Sequence, residues 1–120
     1  MSSSVPFQYT TGATTNLIRV STGSGSSNLK GWNITNTAAY AIFVKLWWSN
    51  QNVIPTVGTT VPSLTITCPA AATSGGGTSI DLSDGVTGNG PLWMWITKLA
   101  PVADATVTVA GDGLVTLFIE

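Results

Sequence analysis

The sequence predicts an all-β fold, an antiparallel β-sandwich or jelly roll of about seven to nine short strands. Two observations predict it. No segment of the 120 residues keeps an apolar period of about 3.6 residues over the length of a helix. Short alternating or apolar segments instead recur about every ten residues, separated by Gly, Pro and Asn.

The predicted strands follow from period-two alternation and from clusters of β-branched and aromatic residues. They cover residues 16–20, 29–34, 40–48, 63–68, 78–82, 92–96, 106–110 and 114–119. Gly, Pro, Asn and Ser between them predict turns or loops at 21–27, 37–39, 50–62, 70–77, 85–91 and 99–105. The last two strands are expected to form a β-hairpin, with Asp112 and Gly113 as its turn.

Alternation also assigns the two faces of each predicted strand. In 29–34, Leu29, Gly31 and Asn33 share one face, and Lys30, Trp32 and Ile34 share the other. In 40–48, one face holds Tyr40, Ile42, Val44, Leu46 and Trp48, and the other holds Ala41, Phe43, Lys45 and Trp47. Because both faces of 40–48 are partly apolar, this strand is expected to be central in its sheet or buried on both sides.

The N-terminal segment is set apart by its composition. Residues 1–12 are predicted to form an extended arm, and residues 13–120 a single β-sandwich domain. Pro6, Phe7 and Tyr9 stand among small polar residues, so we expect their side chains to hold the arm against the chain's own body or a neighbour.

The composition excludes several classes of function. The chain has four Lys or Arg, five Asp or Glu, no His and one Cys, so charged residues make up only 8% of it. Histidine and cysteine metal sites, disulfide frameworks, phosphate-neutralising surfaces and common acid–base machinery all need more of these residues. We therefore expect no enzyme activity, no cofactor, no metal and no nucleic-acid partner. So low a charge gives weak protection against self-association.

The acidic residues do not indicate a metal site, and the sequence shows no targeting signal. Asp81 and Asp84 lie three residues apart, in a Ser- and Gly-rich context that favours turn chemistry over a calcium loop. The N-terminus has no basic and apolar signal region, and the longest apolar run is too short for a membrane span. We expect intracellular synthesis without export and no membrane partner.

The tryptophans are the main candidates for a functional surface. Trp47 and Trp48 are adjacent in one predicted strand and must face opposite sides, whereas Trp93 and Trp95 share a face. They can fill the core, form a subunit interface or make a platform for sugar rings. The subunit interface is preferred in a chain of low charge, with Trp32, Trp47, Trp93 and Trp95 as its candidate residues.

Five segments carry a resemblance to a known family. They occur in the order GWNITNT (31–37), FVKL (43–46), PTVGT (55–59), PSLTI (62–66) and AGDGLVTLF (110–118). Together they resemble a family of small all-β virion proteins of tailed bacteriophages, the capsid decoration or cement proteins. The resemblance covers about residues 13 to 119, although residues 99–104 depart from the acidic connection associated with the family.

The resemblance implies a β-sandwich or jelly roll that assembles, as a trimer, on the outside of the phage head. Its partners would be the major capsid protein and further copies of itself, and its location the outer capsid surface after synthesis in the host cytoplasm. The arm residues Val5, Pro6, Phe7 and Tyr9 are then expected to contact the capsid by strand addition. The alternative is a head- or tail-fibre module that binds host-surface glycans.

Overall fold

Alternating apolar residues form eight β-strands in a computed structural model that describes residues 5–12, 17–20, 27–49, 53–71, 76–88, 90–99, 101, 106, 108–109 and 111–119. The strands are β1 (Val5–Thr10), β2 (Ile18–Arg19), β3 (Ser27–Asn36), β4 (Ile42–Trp48), β5 (Leu64–Cys68), β6 (Gly77–Gly88), β7 (Leu92–Thr97) and β8 (Gly113–Ile119). The described residues contain no α-helix, and thus none long and apolar enough to cross a membrane. The prediction of an all-β fold is confirmed.

The strands form two antiparallel four-stranded sheets. The first sheet has the order β1-β8-β3-β6, and the second has the order β2-β7-β4-β5. Among the eight described strands, only β4 and β5 are consecutive in the chain and neighbours in one sheet; each of the other connections passes between the sheets. Strands distant in sequence are therefore neighbours in space.

The core lies between the inner faces of the two sheets. Its fully buried side chains include Ile42, Val44 and Leu46 of β4, Leu92 and Met94 of β7, and Val115 and Leu117 of β8. The alternation predicted for 40–48 is thus confirmed in β4, and the shared face predicted for Trp93 and Trp95 is confirmed in β7. Stacked sheets need one apolar face each, and period two supplies it.

A β-bulge in β3 corrects the predicted faces of residues 29–34. The register of β3 shifts between Leu29 and Gly31 against both neighbouring strands. An extra residue in one strand reverses the alternation beyond it. Leu29 is therefore fully buried in the same core against which Trp32 packs, although strict alternation placed the two on opposite faces.

The predicted C-terminal hairpin is wrong. Of the predicted strand 106–110, the described residues Thr106, Thr108 and Val109 lie outside any strand, and β8 pairs with β1 and β3 instead. A turn does precede β8, at Gly111 (φ 83°) and Asp112, whereas Gly113 already belongs to the strand. The turn predicted over 85–91 begins later than expected, because β6 continues to Gly88.

The N-terminal segment joins the sandwich rather than forming an arm outside it. Val5–Thr10 pair with β8 along their whole length, from Val5 opposite Ile119 to Thr10 opposite Leu114. Thr11 secures the end of the strand, since its N–H donates to Gly113 O (2.9 Å) and its hydroxyl accepts from Gly113 N (3.0 Å). Residues 1–4 of the predicted arm lie outside the described residues.

Candidate functional site

The outer faces of the two sheets differ in chemistry. Residues directly opposite in an antiparallel pair lie on the same face, so the ladder registers identify each face. The outer face of the first sheet is mainly polar, with Gln8, Thr10, Asn33, Thr35 and Thr116, and it also carries Leu114, which is 45% exposed, and Phe118. The outer face of the second sheet carries Arg19, Phe43, Lys45, Trp47, Trp93, Trp95 and Thr97. Aromatic residues are thus concentrated on one side of the sandwich.

Trp47 and Trp93, here called the tryptophan pair, occupy adjacent strands of that face. Trp93 of β7 is directly opposite Trp47 of β4, and Arg19 of β2 is opposite Trp93 on its other side. Adjacent strands are about 4.8 Å apart, so the two indoles are side by side. Both side chains are half-buried. The buried Nε1 of Trp93 has no hydrogen-bond partner among the described residues.

The neighbouring part of the same face is covered. Trp95 is 1% exposed and Lys45, directly opposite it, is 0% exposed. The Lys45 ammonium donates to Pro101 O (2.9 Å), and the Thr97 hydroxyl donates to Leu99 O (2.8 Å). The described residues after β7 therefore fold back over Trp95 and Lys45, whereas Trp47 and Trp93 each keep part of their surface exposed.

These positions narrow the four candidate interface residues to two. Trp32 packs against the core from β3, and Trp95 lies under the chain that follows β7. Only Trp47 and Trp93 among the four combine an outward direction with partial exposure. Trp48 faces the core, opposite to Trp47, as the alternation predicts. The role of the tryptophan pair as an interface stays a prediction.

The aromatic residues of the predicted arm are used by the chain's own core. Phe7 and Tyr9 are half-buried and pack against it, whereas Pro6 is exposed on the outer side. The physical reason is the pairing of β1 with β8, which places Phe7 opposite the buried Leu117 and Tyr9 opposite the buried Val115. The two side chains thus hold β1 against the chain's own body, and a contact of this strand with a capsid protein stays a prediction. Val5 begins the same strand and lies opposite Ile119.

Phe7→Ala is expected to lower the free energy of unfolding by about 2 kcal/mol, because it removes a half-buried ring from the core. Chemical denaturation of the isolated protein measures the change. Gln8→Ala is the matched control, since Gln8 is exposed on the other face of the same strand. If the Phe7 variant and the wild type are equally stable, Phe7 does not contribute to the core and belongs to a solvent-facing arm.

Tyr40 organises a polar cluster that the sequence pattern did not indicate. Its hydroxyl donates to Asp112 Oδ2 (2.6 Å) and accepts from Val109 N (3.0 Å), while Lys98 Nζ lies 4.5 Å from the ring centroid. Desolvation by burial, and then the hydrogen bond to Asp112, raise the pKa of Tyr40 above its ordinary value of 10.0. The cluster ties the residues before β4 to the residues before β8.

Raising the pH above about 10 is expected to weaken the wild type more than Tyr40→Phe. A raised pKa means that the folded state binds the phenol proton more tightly than the unfolded state does. Its contribution is complete below the unfolded pKa and is lost as the pH rises through the folded pKa. Denaturation of both proteins between pH 8 and pH 12 measures the difference, and a gap that stays constant contradicts the assignment.

The remaining reactive groups of the described residues form no chemical centre. Cys68 is fully buried, and its thiol donates weakly to Gly76 O (3.5 Å) and Ile34 O (3.8 Å). Burial raises the pKa of the Cys68 thiol, which keeps it protonated as a small apolar side chain. No group of three or more His, Cys, Asp or Glu comes together within the described residues, which leave out the side chains of Asp81 and Asp84.

Comparison with known proteins adds no family to these observations. No protein-family model matches the chain, and no curated protein matches its sequence.

Proposed function

We propose that this protein is a structural virion protein, a capsid decoration protein that binds the outside of an assembled phage head and stabilises it across subunit boundaries. The observation that carries the proposal is the one-sided outer surface of the sandwich. One sheet presents mainly polar side chains beside Leu114 and Phe118, and the other presents the partly exposed tryptophan pair. Such a body offers a surface for association on one side and a surface for solvent on the other.

The strand order supports placing the sandwich in the jelly-roll class. A jelly roll is a long antiparallel double strand rolled into two sheets, so its first strand pairs with its last, its second with its seventh, and so on inwards. The pairs β1–β8, β2–β7, β3–β6 and β4–β5 all occur here. Viral capsid domains and lectins share this architecture. Because fold alone does not assign function, the surface must discriminate between them.

A decoration protein acts by linkage rather than by chemistry. It binds the assembled lattice and not the dissociated subunits, so bound copies lower the free energy of the assembled state. The low charge of this chain and its apolar outer face suit such a role. The proposed partners are the major capsid protein and further copies of this chain in a trimer. The proposal does not rely on Phe7 and Tyr9 for the capsid contact, because both pack partly against their own core.

The number of copies per purified virion, measured against the major capsid protein by quantitative mass spectrometry, tests the proposal. A ratio near one copy per capsid subunit, or a simple fraction of it, is the expected result. A few copies per particle would instead place the protein at the tail or a vertex. Absence from the particle would refute a virion role.

A host-surface glycan is the second candidate partner, because Trp47 and Trp93 lie side by side and are both partly exposed. Two adjacent indoles provide a flat apolar platform on which a sugar ring can stack. Titration of purified host-surface polysaccharide, followed by tryptophan fluorescence, tests this function, with Trp47→Ala as the control. A saturable change in the wild type, lost in the variant, would favour the fibre module over the decoration protein.

A further inference from the structure

The strand β5 forms one edge of the second sheet. It pairs with β4 on one side, and no described strand lies beyond it on the other. An edge strand presents unpaired backbone N–H and C=O groups, to which a further strand can bind. The direction of the hydrogen bonds across the sheet determines which residues of β5 present these groups.

The pairing of β4 with β7 fixes that direction. Ser49 N donates to Pro91 O (2.7 Å), and the two residues continue the register of the two strands. The backbone groups of successive residues point to opposite sides of an antiparallel strand. The odd-numbered residues of β4 therefore bond to β7, and the even-numbered residues bond to β5. Their partners in β5 are Leu64, Ile66 and Cys68.

The backbone N–H and C=O groups of Thr65 and Thr67 consequently point away from β4, and we call these groups the β5 edge. Both side chains are exposed. The β5 edge is bounded at its two ends. On one side, Ser63 N turns back and donates to Leu46 O (2.7 Å). On the other side, Pro69 has no N–H with which to continue the pairing.

The three other outer strands of the described sheets carry features that discourage pairing. Strand β1 contains Pro6, which has no N–H for a further strand, and β2 has only two residues, one of them Arg19. Strand β6 contains Asp81 and Asp84, and its register against β3 shifts at a bulge. In contrast, β5 has no charge and no proline, and its register with β4 is regular.

We propose that the β5 edge of one copy pairs with the β5 edge of a second copy, antiparallel and around a two-fold axis at Ile66. Thr65 of each copy then lies opposite Thr67 of the other, and each of these two pairs exchanges two hydrogen bonds. All the outward N–H and C=O groups of both edges are used in this register. The second sheets of the two copies become one continuous sheet.

The composition of the strand favours a second copy as its partner. A two-fold contact brings a surface against itself, so a charge on that surface would meet a like charge. Residues 46–80 contain no Asp, Glu, Lys or Arg, so no such repulsion arises. Threonines directly opposite each other also stabilise antiparallel pairs. A two-fold axis at Thr65 would instead place Thr67 opposite Ser63, whose N–H is already bonded to Leu46 O.

The proposed contact is small, so its occupancy depends on how closely the copies are held. Interfaces that are stable by themselves bury about 800 Å² per partner, more than one pair of short strands provides. Copies bound side by side on a shared surface have a high effective concentration, which favours such a contact. The inference goes beyond the proposed function and does not require its trimer, since a two-fold contact can join single copies or trimers.

Sedimentation equilibrium of the purified protein, up to its highest soluble concentration, tests the inference. The edge variant combines Thr65→Pro and Thr67→Pro, which removes the outward donors and leaves the hydrogen bonds to β4. The matched control is Gln8→Pro in β1, where the N–H also points outward because Thr11 N bonds to Gly113 O in the same register. We expect the masses of the wild type and the control to rise with concentration towards at least twice the mass of the edge variant.

Disulfide formation between single-cysteine variants tests the register and does not depend on the folding of the proline variant. Thr65→Cys and Thr67→Cys, oxidised as a mixture, are expected to form the mixed disulfide faster than either variant links to itself. In the proposed register, Cα atoms 65 and 67 of the two copies lie about 5.5 Å apart, within disulfide range. Positions 65 and 65 lie on a diagonal of about 7–8 Å, which is too long. The native Cys68 is fully buried and does not compete.

Two results would overturn the inference. One is a wild-type mass that equals the mass of the edge variant at every concentration. The other is a mixed disulfide that forms no faster than the disulfides between identical variants. Neither result bears on the number of copies in the virion, since a protein without this contact can still decorate a shell. The inference and the proposed function therefore fail separately.

Discussion

Gly88→Ala is expected to lower the free energy of unfolding by about 3 kcal/mol, a large effect for the addition of one methyl group. A Cβ atom at Gly88 would lie 2.1 Å from Cγ of Trp48 and 2.5 Å from both adjacent ring carbons. Gly88 belongs to the first sheet and Trp48 to the second, so the indole touches the opposite backbone where the two layers meet. The ring cannot yield at its base without leaving the core against which it packs.

Chemical denaturation of Gly88→Ala and Gly77→Ala separates this clash from the general effect of replacing glycine in a strand. Gly77 lies in the same strand, and a Cβ there would meet Ile34 O at 3.7 Å, an ordinary contact. We expect Gly77→Ala to change stability by about 0.5 kcal/mol or less. Gly88→Ala should also cost less in a Trp48→Ala background, because contacting residues are coupled. Equal costs in both backgrounds would contradict the proposed contact.

Lys45→Ala is expected to destabilise the protein by about 3 kcal/mol, although lysine is usually a surface residue. The side chain is 0% exposed on the outer face of the second sheet, opposite Trp95. Its methylenes fill space beneath the chain that follows β7, and its ammonium donates to Pro101 O. Alanine removes both the packing and the anchor of that chain segment.

Lys45→Met distinguishes the two contributions. Methionine keeps a flexible chain of similar length but has no donor for Pro101 O. We expect it to cost about 1 kcal/mol, the usual net value of one hydrogen bond. The fluorescence of Trp95 should report greater solvent access in Lys45→Ala than in Lys45→Met. A Lys45→Met variant as unstable as Lys45→Ala would show that the ammonium, rather than the methylenes, holds the segment.

Local alternation was sufficient to predict the strands of the second sheet. The predictions for 40–48, 63–68 and 92–96 match β4, β5 and β7 within a few residues. Alternate residues of these strands face the core, so their signal is present in the chain itself. The opposite orientation of Trp47 and Trp48 follows from the same rule.

Pairings that depend on distant residues escaped prediction. The segment of β1 was predicted to be an arm because the alternation of Phe7 and Tyr9 is too short to indicate a strand by itself. It becomes a strand through pairing with β8. The bulge between Leu29 and Gly31 reverses which residues of β3 face the core. The local composition did not indicate this bulge. The hairpin predicted at Asp112 and Gly113 is wrong because β8 pairs with β1 and β3 rather than with the residues before the turn.

The sequence indicated that tryptophans would form the candidate site, but it did not indicate which of their side chains would be exposed. Alternation indicated that some tryptophans face away from the core, but not which of them the chain after β7 would cover. Lys45 alone gave no sign that it would be buried, since its anchor at Pro101 is 56 residues away. The exposed Val53, Ile54 and Val61 lie in a connection that was predicted only as a loop.

The pairing of the first strand with the last has a consequence for how the protein is made. Thr11 and Gly113, which hydrogen bond at the end of β1, are 102 residues apart in the chain. Until β8 leaves the ribosome, β1 and β3 lack the strand that lies between them in the sheet. Among the described strands, only β4 and β5 are both paired and consecutive in the chain. Closing such long loops costs chain entropy before the strand contacts can offset it. Folding is therefore slow, on a scale of about milliseconds to seconds. The first sheet is therefore completed after synthesis of β8, and open strand edges must be kept apart from other nascent chains until then.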